Sequence, residues 1–228
     1  YKRATRLIVH NEQMRKVVVE MGFAADTVCV VPTVVRGYAD ENDAGLREHE
    51  GEILFFGRIW EYKGLEYLIR AEPLIAEAVP HARIVIAGQG EDFARYRRMM
   101  VNPDRFIVHN EYVSEEMKAE LFSTASVVAL PYIDATQSAV IATAYNYSKP
   151  VIATAVGGLP SMVDDGATGI LRPPRDENAL AAAAIRLLTD DSLRAAMGRN
   201  AKQKAIAEYG PEIAARETLE VYRDLATG

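Results

Sequence analysis

The chain has 228 residues, 49% hydrophobic and 25% charged, which is ordinary for a soluble globular protein with a sizeable core. Its net charge of −6 argues against a general nucleic-acid binder, so an anionic ligand would have to be held by local donors. No apolar run approaches the roughly 18 residues that span a bilayer, no signal-peptide pattern is visible, and the lone cysteine, Cys29, excludes an internal disulfide framework.

A single thiol fits a reducing cytosol, so the expected location is cytoplasmic, with peripheral contact at the inner face of a membrane left open. The chain opens at Tyr1 and its first residues already read as the middle of a domain, which leads us to expect a fragment. A strand over 7–9, a helix over 13–20 and a strand over 28–31 form a small piece of one unit, and residues 1–35 are assigned to it. Residues 36–50 are polar and without periodicity, and read as a linker.

From there short apolar runs alternate with amphipathic stretches. Strands are predicted over 53–56, 83–87, 105–108, 126–130, 151–154 and 169–171, each rich in Val, Ile, Phe or Ala and bounded by Gly, Pro or polar residues. Helices are predicted to start near Lys63, Glu91, Glu115, Gln137 and Leu159. This alternation implies parallel strands joined by right-handed crossovers, hence an α/β fold with a doubly wound, Rossmann-like sheet over 51–208. Ser114 is a plausible N-cap with Glu115 and Glu116 in the positive first turn, and Met117 and Leu121 share one face. Pro73 interrupts the stripe of Leu65, Leu68, Ile69 and Ile75, and is expected to kink or split that helix. Beyond Glu177 the pattern is purely helical, with Leu193, Met197 and Ala201 on one stripe. Ala214, Thr218, Val221, Tyr222 and Leu225 form another, set off by Gly210-Pro211, so 209–228 reads as a separate final helix.

Ligands of doubly wound sheets sit beyond the carboxyl ends of the strands. After the first main strand come Gly57 and Arg58, then Lys63 and Gly64 where a helix opens. A guanidinium fork and a compact ammonium aimed at one crevice suit a diphosphate leaving group, although the pair taken alone reads more readily as two solvated surface cations. After the fourth strand a turn of small and polar residues, 131–138, leads into a helix. The backbone N–H groups of Ser138, Ala139 and Val140 would there make a phosphate cradle, and the hydroxyls of Thr136 and Ser138 would cap the helix or touch ligand. Gly88-Gln89-Gly90 and Gly157-Gly158-Leu159-Pro160 turn tightly at two further strand exits. His109 to Val113 follow the third strand, where main-chain groups could hydrogen-bond a nucleobase. His109 itself reads as a surface or capping residue rather than a base.

Together these residues resemble the C-terminal, donor-binding domain of retaining glycosyltransferases of the GT-B fold, of the type called glycosyl transferases group 1. The resemblance runs over 28–225 and rests on ordered motifs: Gly57-Arg58 with Lys63-Gly64, Gly88-Gln89-Gly90, the 112–116 and 126–131 segments, Lys149-Pro150 with 151–154, 157–160 and 165–169. It implies cleavage of a nucleoside-diphosphate sugar and transfer of the sugar, typically a hexose, to an acceptor hydroxyl with retention. Arg58 and Lys63 would act on the diphosphate as the catalytic cations. Gly57, Gly88, Gln137, Ser138, Ala139, Val140 and Thr143 would line the donor site, with the base on the backbone near Tyr112 and Val113. No cofactor and no bound metal are implied, and no Asp-x-Asp motif occurs. A glycan or lipid-linked acceptor would bind a preceding N-terminal domain, so the fragment alone is expected to be inactive. Polysaccharide assembly is a family-level expectation.

The family pattern places two glutamates eight positions apart where this chain has Ala135 and Thr143, and Ser161 replaces a further Glu. Asp134 is one residue out of phase. Thr143 can hydrogen-bond a ribose but cannot form a carboxylate clamp. Two other readings stay open: a nucleotide-sugar epimerase or glycan phosphorylase of the same fold, and a non-catalytic module that binds nucleotide sugar or protein.

Overall fold

The computed structural model describes residues 4–33 and 47–227. Most of the expected linker, 36–46, lies outside the described residues. Strand β1 (Leu7–Val9), helix α1 (Glu12–Glu20) and strand β2 (Val28–Val30) form the first unit, with the two strands paired in parallel. Asn11 caps α1 by accepting from the Met14 N–H at 2.7 Å.

The main unit runs β3 (Glu52–Phe56), α2 (Leu65–Ala78), β4 (Arg83–Ala87), α3 (Ala94–Arg97), β5 (Phe106–His109), α4 (Glu115–Thr124), β6 (Val127–Leu130), α5 (Ala139–Asn146), β7 (Val151–Thr154), α6 (Leu159–Met162) and β8 (Gly169–Arg172). Three helices complete the described chain, α7 (Glu177–Thr189), α8 (Asp191–Glu208) and α9 (Pro211–Thr227). Strands β3 to β8 make one six-stranded sheet in the order β5-β4-β3-β6-β7-β8, and every pairing is parallel. The chain therefore winds outward from β3 in one direction and from β6 in the other. The crevice at their shared carboxyl edge is the topological switch point of an α/β doubly wound fold.

The central strands carry unbroken apolar runs because both faces of the sheet are covered. Successive residues of β3 divide between two cores: Ile53 and Phe55 join the layer of α2 and α7, whereas Leu54 joins α4, α5 and α8. Leu65, Leu68, Ile69 and Ile75 from α2, with Leu180, Ala184 and Leu187 from α7, close the first core. Phe122, Ile141, Tyr145 and Ala201 close the second.

Helix α2 runs through Pro73 as one element and is not split. A proline costs a helix interior about 3 kcal/mol, and each buried Leu or Ile of the stripe returns about 1.5–3 kcal/mol, so packing prevails. The predicted helix at Glu91 begins three residues later, at Ala94, whose N–H donates to the Asp92 side chain at 2.9 Å in the turn before the short α3. The third main strand is displaced by one residue, so His109 pairs with Ala87 as its last member rather than following it. The first turn of α4 is capped by Ser114, which accepts from the Met117 N–H. On α9 Ala214 and Val221 pack on Val31 beside Cys29, whereas Tyr222 and Leu225, expected on the same stripe, are exposed. Among the described residues no helix is long and apolar enough to cross a membrane.

Candidate functional site

Strand β3 delivers Gly57 to the switch point. Its φ of 112° lies in the region that favours glycine. A Cβ there would stand 3.6 Å from the Lys63 Nζ and 3.8 Å from Val140 Cγ2, so the three residues border one small space. The chain then loops through Arg58, Ile59 and Trp60 and returns in a single 3-10 turn, Glu61–Lys63, before α2.

Lys63 is only 9% exposed. Its ammonium donates to the Tyr132 hydroxyl at 2.6 Å and lies 4.2 Å from the centre of that ring and 5.8 Å from the ring of Tyr62. No carboxylate of the described residues forms an ion pair with it. Burial disfavours the charged form and pushes the Lys63 pKa down to about 8. Tyr132, itself buried, is 3.4 Å from Ser138 Oγ, which links the lysine to the start of α5. Burial also holds the Tyr132 hydroxyl protonated far above neutral pH.

Ser138 occupies the N-cap of α5, and of the two roles expected for its hydroxyl, capping or ligand contact, it does not take the first: it makes no capping bond. It faces Tyr132 instead. Among the described residues the Ser138 side chain leaves the first N–H groups of α5 uncapped, and these carry the positive end of the helix dipole. Gln137 and Thr136 are held from outside: Thr33 donates its hydroxyl to Gln137 Oε1 at 3.0 Å, and Asn11 Nδ2 donates to the Thr136 carbonyl at 3.3 Å. The turn that feeds α5 is thereby tied to the first unit of the chain.

Other expected residues fall differently. Arg58 is exposed and lines a groove of about 720 Å³ with Trp60, Tyr62, Ile133 and Arg175, so the two cations stand in unlike surroundings. Gly88 serves packing: a Cβ would lie 2.0 Å from the Gly57 carbonyl oxygen, so its lack of a side chain is needed by the neighbouring loop before any ligand is considered. Thr143 donates its hydroxyl to Ala139 O at 2.9 Å, leaving only lone pairs for a partner that itself donates. Ala135 packs against the second core, and its carbonyl accepts from the Gly158 N–H. Asp134 is exposed. Val113 packs against the same core while Tyr112 is 78% exposed, both beyond β5 and two strands from β3.

Tyr132 was missed from the sequence, as was the aromatic pair Trp60 and Tyr62. A usable signal existed: a tyrosine directly after a buried apolar strand must find a partner for its hydroxyl. In chemical terms the crevice joins a buried ammonium without a carboxylate partner to the amide end of a helix, a chemistry suited to an anionic oxygen cluster.

Comparison with known proteins agrees with this architecture. The family model for glycosyl transferases group 1 matches residues 50–190. An uncharacterized glycosyltransferase of Methanocaldococcus jannaschii is 32% identical over 181 residues, covering 78% of this chain and 46% of that protein. The chain thus spans about half the length of the curated relatives it matches. Among solved structures, sucrose-phosphate synthase from Thermosynechococcus elongatus superposes with a TM-score of 0.82 at 25% identity, covering 96% of this chain and 58% of that one. Anabaena HepE in complex with UDP superposes with a TM-score of 0.79 at 17% identity, over 98% of this chain and 64% of that one. With its six-stranded parallel sheet and this match over more than half its length, the chain belongs to the glycosyl transferases group 1 family, as the C-terminal half of a GT-B fold.

Proposed function

We propose that the chain supplies the donor site of a retaining glycosyltransferase and binds a nucleoside-diphosphate sugar in the crevice between β3 and the start of α5. The observation that carries this reading is Lys63, a buried ammonium without a carboxylate partner, next to Gly57 and Val140. The complex of Anabaena HepE with UDP supports a nucleoside diphosphate as the ligand class. In this reading the diphosphate gains charge as the sugar leaves, and Lys63 with the α5 amides stabilises it. Arg58 adds a planar fork from the rim. The acceptor hydroxyl attacks the same face of the sugar. Thr143 accepts from a ribose hydroxyl, and main chain at Tyr112 and Val113 contacts the base. No bound metal is required.

A glycan or lipid-linked acceptor, a cytoplasmic setting and a part in polysaccharide assembly belong to the same proposal. Since the chain spans 46% of its archaeal relative, the 228 residues alone are expected not to transfer sugar. Calorimetric titration with UDP, GDP and ADP tests the donor site: saturable binding of one is expected, and binding of none would sink the reading. That second outcome favours a non-catalytic module, to which Ala135 and the engaged Thr143 hydroxyl also point.

A further inference from the structure

The groove beside the crevice has its own chemistry. Its volume of about 720 Å³ falls in the range of small-molecule sites. Gly57, Lys63, Tyr132, Ser138 and Val140 do not line it; Arg58, the residue after Gly57, does. The lining is two arginines, Arg58 and Arg175, two glutamates, Glu61 and Glu91, and the aromatic pair Trp60 and Tyr62, with Ile133 beneath. The lining carries two cationic and two anionic side chains, and Glu91 is further paired with Arg95 at 3.1 Å. Trp60 and Tyr62 are 44% and 46% exposed. Arg175 adopts a φ of 60°, where glycine would rest without strain, so a guanidinium is kept there at a conformational cost. Among the described residues Arg58 and Arg175 form no ion pair.

Exposed aromatic faces flanked by planar guanidinium and carboxylate groups recognise one ligand class well. The C–H faces of a sugar ring stack on the aromatics, and its paired hydroxyls meet bidentate polar side chains. We propose that this groove is a saccharide-binding subsite, separate from the nucleotide crevice, which holds a neutral oligosaccharide segment of the acceptor beside the point of transfer. The inference rests on the glycosyltransferase reading above. Arg58 adjoins Gly57, and the Tyr62 ring lies 5.8 Å from the Lys63 ammonium, so a glycan held here lies alongside the donor site.

Trp60 is the only tryptophan in the chain, so its fluorescence reports the groove directly. The 228-residue protein is titrated with maltohexaose, mannohexaose and chitohexaose, with and without saturating UDP. At least one sugar is expected to change the emission saturably, with a midpoint that UDP moves by less than about twofold. Arg175→Gly, which relaxes the backbone while removing the guanidinium, is expected to weaken that sugar about tenfold and to leave UDP calorimetry unchanged. No saturable change with any of the three sugars overturns the proposal. So does simple displacement of the sugar by UDP, or an Arg175→Gly affinity equal to the parent's. Loss of UDP binding with sugar binding retained would instead count against the nucleotide crevice alone, so the two readings fail separately.

Discussion

Two buried lysines stand at opposite edges of the sheet and have opposite fates. Lys149 precedes β7 at the amino edge and is 8% exposed; Lys63 follows β3 at the carboxyl edge and is 9% exposed. Lys149 meets Glu48 at 3.3 Å, and Arg194 holds the same carboxylate at 2.9 Å. Burial lowers the Lys149 pKa, and Glu48 opposes that shift. Lys63 is lowered to about 8 by burial with only a tyrosine hydroxyl for company. Equal burial therefore does not mean equal purpose. The first cation is neutralised within the fold and anchors the residues that lead into β3. The second is left without a counter-charge where a ligand can supply one, the pattern expected of a functional group held at a cost in stability.

The largest test of this contrast is Lys63→Met. Nucleotide affinity by calorimetry is expected to fall about 100-fold or more, the size of one charged contact to phosphate in a dry site. Stability should move the other way. The folded lysine sheds its proton near pH 8, whereas the unfolded one keeps it to 10.5, so the unfolded state binds more protons between those values. Parent stability thus rises with pH across that window and is penalised below it, and Lys63→Met is expected to be more stable at pH 7 by about 1–3 kcal/mol. A melt showing destabilisation would break the comparison.

Lys149→Met should leave nucleotide affinity unchanged, and because Glu48 offsets part of the desolvation and keeps Arg194 afterwards, it should shift stability at pH 7 less than Lys63→Met does in denaturant unfolding. Nucleotide affinity of the parent should fall about tenfold between pH 7 and pH 9 as Lys63 deprotonates, and Lys63→Arg, which keeps its charge throughout, should flatten that profile. The smallest effect belongs to Thr143→Ala. Its hydroxyl proton already goes to Ala139, so removal is expected to weaken the nucleotide only about two- to threefold.

Much of the fold could be read ahead of the coordinates. Main-unit strands lie within one residue of their predicted limits because each is a short apolar run bounded by turn formers. Ser114 and Gly210-Pro211 were legible because a cap acts over three or four residues. Of the kink or split expected at Pro73, the split does not occur: local propensity argues for it, and burial against α7 overrules it. In the site, Gly57, Lys63, Ser138 and Val140 are legible in the sequence as residues at strand exits, and the structure brings them together. Gly88 was named for a ligand contact, and packing on the Gly57 carbonyl is the nearer cause.

Alternation of apolar and helical periodicity determined by itself that a parallel, doubly wound sheet would form, because side-chain period and capping are properties of neighbours in the chain. Whether Lys63 would be a solvated surface charge or a buried unpaired one depended on Tyr132, a partner 69 residues away. Only tertiary structure decides that. Desolvation depends on everything packed around a group, and no stretch of sequence shows how many of its neighbours will be water.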